Sequence, residues 1–135
     1  MNPPLCTAAT NGHFEIVKYL AENGADLEAK DFYSGTPSLP CAVFENRIEI
    51  VKYLIDKKCN INENNYWNIT SLHAAASSHN LYLVEYLLEH GAELEVRDAE
   101  NGLTLLHYVA ERCLSNTYPA LSRDYARFYL NVIFI

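Results

Sequence analysis

An all-α repeat solenoid is the architecture that this 135-residue sequence predicts, and three observations carry the expectation. The phrase EIVKYL stands at 15–20 and again at 49–54, with an echo, YLVEYL, at 82–87. The similarity extends beyond the phrase into whole units: PPLCTAATNGHFEIVKYLAENGADLEAKD (3–31), PSLPCAVFENRIEIVKYLIDKKCNINENN (37–65) and TSLHAAASSHNLYLVEYLLEHGAELEVRD (70–98), offset by 34 and then 33 residues. Each unit also places apolar residues at helical spacing. A helix pair of this length cannot bury such a stripe alone, whereas stacking it on a sibling does.

Taken in chain order, each part of a unit has a physical reason. A Thr or Pro opens the first helix, Thr70 and Thr104 as caps and Pro4 in the first turn. Small residues follow (Ala8, Ala9, Ala42, Ala75 and Ala76) and allow the first helices to approach one another closely. A polar pair such as Asn11-Gly12 makes the turn. The second helix carries Ile16, Val17, Tyr19 and Leu20 at i, i+1, i+3 and i+4, the stripe expected to form the seam. Asn23-Gly24 and His90-Gly91 supply a left-handed stop. ADLEAKD and AELEVRD then run extended into a Gly-containing turn. The resulting division is 1–31 for the first unit, 32–64 for the second, 65–97 for the third, and 98–135 for a divergent fourth with an apolar tail. The fourth unit opens as TLLHYVAERC (104–113) and then loses the pattern.

Bulk properties narrow the function. Half the residues are hydrophobic and a fifth charged, as in an ordinary folded protein. The net charge of −7 argues against nucleic-acid binding, which needs clustered Lys and Arg. The N-terminal stretch has neither the basic nor the apolar region of a signal peptide. The longest uncharged apolar run, FYLNVIFI, is far below the roughly 20 residues that span a bilayer. Four cysteines without a secretion signal point to free thiols in a reducing compartment. A cytoplasmic or nuclear location is therefore expected, where the sequon Asn68-Ile69-Thr70 would stay unglycosylated.

The motifs TSLHAAA, NGHFEIVKYL and NGADLEAKD resemble the ankyrin repeat, and the likeness covers roughly 3–113. It implies a stack of antiparallel helix pairs with β-hairpin fingers projecting at about a right angle. It also implies protein binding through the fingertips and first helices. Departures from the family pattern are specific. Pro40 stands where the family His belongs, and Lys58 stands where Gly ends the second helix, at a cost of about 1 kcal/mol if the position stays left-handed. One extra residue separates the finger Asp from Gly in Asp31–Gly35 and Asp98–Gly102, so those two fingers should be slightly longer than the middle one. By the same resemblance, Asn62 lies in the finger slot that 2-oxoglutarate-dependent asparaginyl hydroxylases modify in some repeats; an unmodified turn asparagine is the simpler expectation.

Chemistry finds little support. The resemblance puts His73 and His107 in a slot that makes a structural turn hydrogen bond; His13, His79 and His90 fall at turns and a helix end. Cys59 replaces a small Ala, while Cys6 and Cys41 lie in first helices. No C-x-x-C or H-x-x-x-H spacing occurs, and no paired carboxylates or Ser–His–Asp set stands out. No catalytic residue, metal site or cofactor is expected.

The fingertips are more informative. Phe32-Tyr33-Ser34-Gly35-Thr36 aligns with Tyr66-Trp67-Asn68-Ile69, which puts four aromatics on adjacent tips that the stack does not require. Trp and Tyr dominate binding hot spots. Rings that pack between fingers are the competing reading, and both remain open. The expected partner-binding set is Phe32, Tyr33, Thr36, Phe44, Glu45, Tyr66, Trp67, Ile69, Ser77 and Ser78. Glu28, Asp31, Glu63, Glu95, Asp98 and Glu100 suggest a negative rim and a partner with a basic segment. The expected protein is a monomeric binding scaffold that uses neither nucleic acid nor membrane. The alternatives are a targeting segment or fragment of a larger multidomain protein, an enzyme or ubiquitin-ligase adaptor, or a decayed array with no partner. The tail is either a divergent cap, with Tyr125, Phe128, Tyr129 and Val132 as a helical stripe, or an arbitrary terminus of a longer array.

Overall fold

The computed structural model describes residues 2–105 and 107. Within them the chain forms three helix pairs in succession: α1 (Pro4–Asn11) with α2 (Phe14–Glu22), α3 (Ser38–Phe44) with α4 (Ile48–Asp56), and α5 (Ser71–Ser77) with α6 (Leu81–Glu89). The first helices α1, α3 and α5 pack side by side as an inner row, and each second helix folds back on its own first helix. This is the all-α stack expected. The apolar stripe foreseen at Tyr125, Phe128, Tyr129 and Val132, and the choice between cap and continuation, lie outside the described residues.

One leucine per unit (Leu5, Leu39, Leu72 and Leu105) is buried at the same point of each first helix. Ala8, Ala9, Ala42, Ala75 and Ala76 are buried around them, and their small side chains let neighbouring helices approach closely. Second helices add Val17, Val51 and Val84, with Leu54 and Leu87 beneath them. Pro4 begins α1 in the first turn, where its missing N–H costs nothing. Thr70 and His73 form a reciprocal cap at the start of α5.

All three second helices end alike. Ala25 N–H donates to Leu20 O at 3.0 Å, Cys59 N–H to Leu54 O at 3.3 Å and Ala92 N–H to Leu87 O at 2.9 Å. The residue before each donor is left-handed: Gly24 at φ 84°, Lys58 at φ 65° and Gly91 at φ 96°. Lys58 therefore keeps the conformation that Gly would adopt without strain.

The seam differs from expectation in the first unit. Ile50 and Leu83 are buried, whereas Ile16, at the same position, is 50 % exposed, and Tyr19 is exposed as well. These stripe positions face the preceding unit: the Tyr53 ring meets Phe14 of the unit before it edge-on at 5.5 Å. No described unit lies before α2, so Ile16 and Tyr19 are uncovered there. Leu20 is only partly buried.

Among the described residues the fingers are hairpin-shaped loops without strand ladders. Each is closed by two main-chain bonds at its base residue. Asp31 N–H donates to Thr36 O (3.0 Å), Asn65 N–H to Ile69 O (3.1 Å) and Asp98 N–H to Leu103 O (2.9 Å). Gly35, Asn68 and Gly102 N–H donate back to Asp31, Asn65 and Asp98 O at 3.1, 3.1 and 3.2 Å. The middle loop is one residue shorter than the other two, as its sequence predicts.

Candidate functional site

The base of each finger carries a side chain that holds the tip. Asp31 Oδ1 accepts from Tyr33 N–H at 2.9 Å and Ser34 N–H at 2.8 Å, and Oδ2 accepts from Thr36 N–H at 2.7 Å and from the Ser34 hydroxyl. Burial pushes the Asp31 carboxyl up, but these donors outweigh it and hold the group below its ordinary value. Asn65 repeats the arrangement with neutral chemistry, accepting from Trp67 N–H at 3.0 Å and Ile69 N–H at 2.9 Å. In the third finger Asp98 accepts from Asn101 N–H at 2.7 Å.

Neighbouring fingers are also tied to each other. Tyr66 N–H donates to Ser34 O at 2.9 Å, and Ala99 N–H donates to Trp67 O at 2.7 Å. The Tyr66 ring lies so close over Gly35 that a Cβ there would meet it at 2.5 Å. Tyr66 thus packs on the first finger with one part of its ring while much of the rest stays in solvent. Phe32 and Tyr33 meet edge-on, centroids 5.9 Å apart, within their own tip. Exposure of the four tip aromatics runs from 49 % at Trp67 to 82 % at Tyr33.

Beside the fingers, the inner helices form a groove with a volume of about 320 Å³. It is lined by Thr36, Phe44, Glu45 and Ile69 from the expected set, together with Thr10, Asp31, Ser34, Pro40, Cys41, Asn65 and Ala74. Phe44 is exposed at its rim. Thr36 also has a structural task, since its hydroxyl lies 2.6 Å from the Ser34 hydroxyl and accepts from Asn65 Nδ2 at 3.4 Å. Ser78 is turned toward the main chain, donating to Phe44 O at 3.0 Å and Ala74 O at 2.9 Å. Ser77 is half-buried at the end of α5. The expected residues thus divide into tip aromatics (32, 33, 66, 67), groove lining (36, 44, 45, 69) and the end of α5 (77, 78).

The negative rim is smaller than the sequence suggests. Asp31 and Asp98 are buried in their turns. Glu28 accepts from Asn60 N–H at 2.6 Å, and Glu63 pairs with Lys30 at 2.8 Å. Glu45, Glu95 and Glu100 remain exposed. Asn62 plays the part that Glu28 plays one unit earlier: its Oδ1 accepts from Glu93 N–H at 2.8 Å and its Nδ2 donates to Gly91 O at 3.1 Å. Its amide therefore links adjacent units.

Sequence reasoning missed two further features. Thr10, Pro40 and Cys41 line the groove, yet Thr10 and Cys41 read as ordinary first-helix sequence and Pro40 stands out only as a departure from the family pattern. On the outer row Tyr82 and Tyr86 stack at 6.2 Å, Tyr86 stacks on His90 at 4.1 Å, and Lys52 sits 5.3 Å over the Tyr82 ring. The third unit's YLVEYL differs from EIVKYL at three positions, and the tyrosine at its start is the one signal of this cluster.

Among the described residues no group of three or more His, Cys, Asp or Glu is placed to hold a metal, and no helix is long and apolar enough to cross a membrane. Burial pushes the Cys59 thiol up to about 12, away from reactive thiolate chemistry.

Comparison with known proteins agrees with this geometry. A family model described as ankyrin repeats (3 copies) matches residues 2–65 and 41–127. Palmitoyltransferase AKR1 of Lachancea kluyveri is 39 % identical over 104 residues, covering 74 % of this chain and 14 % of its own length. The transient receptor potential cation channel subfamily A member 1 homolog of Caenorhabditis elegans is 38 % identical over 99 residues, 73 % of this chain and 8 % of its own length. The mouse B-cell lymphoma 3 protein homolog is 33 % identical over 131 residues, 89 % of this chain and 29 % of its own length. The chain thus spans less than a third of each of these relatives. With the family model covering most of the chain and the helix-pair stack beneath it, this protein belongs to the ankyrin-repeat family.

Proposed function

We propose that the chain is a non-catalytic protein-binding scaffold that recognises its partner through the aromatic fingertips and the adjoining groove. The observation that carries this reading is the exposure of Phe32, Tyr33, Tyr66 and Trp67 on two adjacent tips that the surrounding turns hold still. Large rings on fixed loops contribute contact area while losing little conformational freedom on binding. Pro40 and Ile69 give the groove an apolar lining with Phe44 at its rim, and Glu45 adds a charge at one side. That combination suits an extended segment with an apolar anchor and one basic residue near Glu45.

Affinity capture from lysate with mass-spectrometric readout tests the reading. The wild-type chain and a Tyr82→Ala variant on the outer row are expected to enrich the same protein. The Tyr33→Ala/Trp67→Ala variant is expected to lose it by about tenfold or more, as hot-spot truncation would require. Equal capture by the fingertip variant would contradict the proposal.

A second reading draws on the length of the relatives, which exceed this chain by threefold or more. In it the stack is the recognition segment of a larger protein, an enzyme or a ubiquitin-ligase adaptor. The rabbit ankyrin repeat and SOCS box protein 5, 30 % identical over 97 residues that make up 29 % of its own length, is another longer relative. Sequencing the transcript beyond both ends decides this: an open reading frame that continues supports it, and flanking stop codons contradict it.

A further inference from the structure

We propose that Cys6 and Cys41 form a reversible dithiol–disulfide site that staples the first helix pair to the second and takes a small-molecule disulfide as its oxidant. The two residues are 35 positions apart in sequence, on α1 and α3, which pack directly against each other. Both thiols are free. Both line one cavity of about 400 Å³, together with Thr7, Thr10 and Asp31. Cys41 also opens onto the neighbouring groove, whereas Cys6 is buried behind it.

Their environments divide the roles. The Cys6 thiol is the main influence holding Cys41 below the ordinary thiol range, with the Thr10 hydroxyl adding to it against the effect of burial. The same neighbour, and then burial, push Cys6 upward. Cys41 is therefore the more accessible and more readily ionised sulfur, the properties of an attacking thiolate. Cys6 meanwhile donates to Ala29 O at 3.2 Å. Cys59 lacks such a neighbour and is pushed up to about 12 by burial.

The exchange balances in two steps. The Cys41 thiolate attacks one sulfur of the small disulfide, forming a mixed disulfide and releasing one small thiolate. That step removes the thiolate beside Cys6, and the Cys6 thiol passes its proton to the small thiolate just released. The Cys6 thiolate then attacks the Cys41 sulfur and expels the second small thiolate. Two protons and two electrons pass from the pair to the reagent, which leaves as two thiols. The new bond closes a loop containing the first finger and the whole of α2, and it removes the Cys6–Ala29 hydrogen bond. A cross-link of this kind restricts the unfolded chain.

The test uses the full chain carrying Cys59→Ser and Cys113→Ser, incubated with excess oxidised glutathione. The expected product has lost two hydrogens, carries no glutathione and yields one linked peptide pair containing residues 6 and 41. Its melting temperature should rise, and dithiothreitol should reverse the rise. Peptide mapping of the oxidised wild-type chain should give the same linkage, which covers the case in which the double variant folds poorly. Persistent free thiols at 6 and 41, or stable glutathione adducts in the folded chain, would overturn the proposal. With Cys41→Ser added, Cys6 should stay unmodified over the time the pair takes to close; glutathionylation of Cys6 at an undiminished rate would overturn the assigned roles.

Discussion

Cys6, Pro40 and His73 occupy one position in three successive units, and each treats the carbonyl across from it differently. His73 Nδ1 accepts from Thr70 N–H at 3.2 Å, which leaves Nε2 to carry the proton and donate to Val96 O at 3.1 Å. Cys6 makes the matching bond to Ala29 O, while Pro40 has no donor to offer. Burial lowers the His73 pKa from its ordinary 6.5, ahead of the opposing effect of Val96 O. The folded protein therefore resists protonation at a site where the unfolded chain accepts it. This contribution is complete above the unfolded value of about 6.5 and is lost progressively as pH falls from there toward the lower folded value. Urea unfolding should give a lower midpoint at about pH 5.5 than at about pH 7.5, and His73→Gln should flatten the difference. At Lys58 the left-handed backbone is retained without the residue that favours it. Lys58→Gly is expected to stabilise the chain by about 1 kcal/mol, measured by the same unfolding experiment. The missing Gly at 58 was legible in the sequence because a family position stood empty. Cys6 as a stand-in for His was not, since only the position of the Ala29 carbonyl reveals it.

At the level of elements, the seam discriminates between residues that look alike in sequence. Leu54 is fully buried in α4, so Leu54→Ala should cost about 2–5 kcal/mol through lost contact and the cavity left behind. Ile16→Ala removes a half-exposed side chain and should stay within about 0.5 kcal/mol of wild type. Leu20→Ala belongs between these, because Leu20 is only partly buried. A chemical-denaturation series on the three variants checks that order. The helices and their turns were legible because period 3.6 and the 33–34-residue repeat agree throughout. Periodicity tells which face is apolar but not whether a neighbour covers it, which is why Ile16 and Tyr19 read as seam residues. The relative finger lengths followed from one extra residue at 31–35 and 98–102. The absence of strand ladders in the described fingers did not, because the turn bonds to Asp31 and Asn65 take up the N–H groups that a ladder would use.

At the scale of the whole molecule, the proposed function gives stacking and recognition to different residues. Leucines, valines and alanines repeated in every unit make the stack, and the aromatics that change from unit to unit stand outside it. The sequence revealed the tips by that contrast, but it overstated the acidic rim, because composition cannot show that Asp31, Asp98, Glu28 and Glu63 spend their oxygens on neighbouring donors. Tyr66 is the exception among the tip aromatics, because its ring packs on Gly35. Tyr33 and Trp67 are the clean probes. The most direct measurement is therefore the equilibrium unfolding free energy of Tyr33→Ala/Trp67→Ala beside wild type. A change within about 0.5 kcal/mol is predicted, as for surface substitutions away from structural contacts. A loss of about 2 kcal/mol or more, comparable to a core truncation, would show that the tips hold the stack together and would contradict the separation of the two roles.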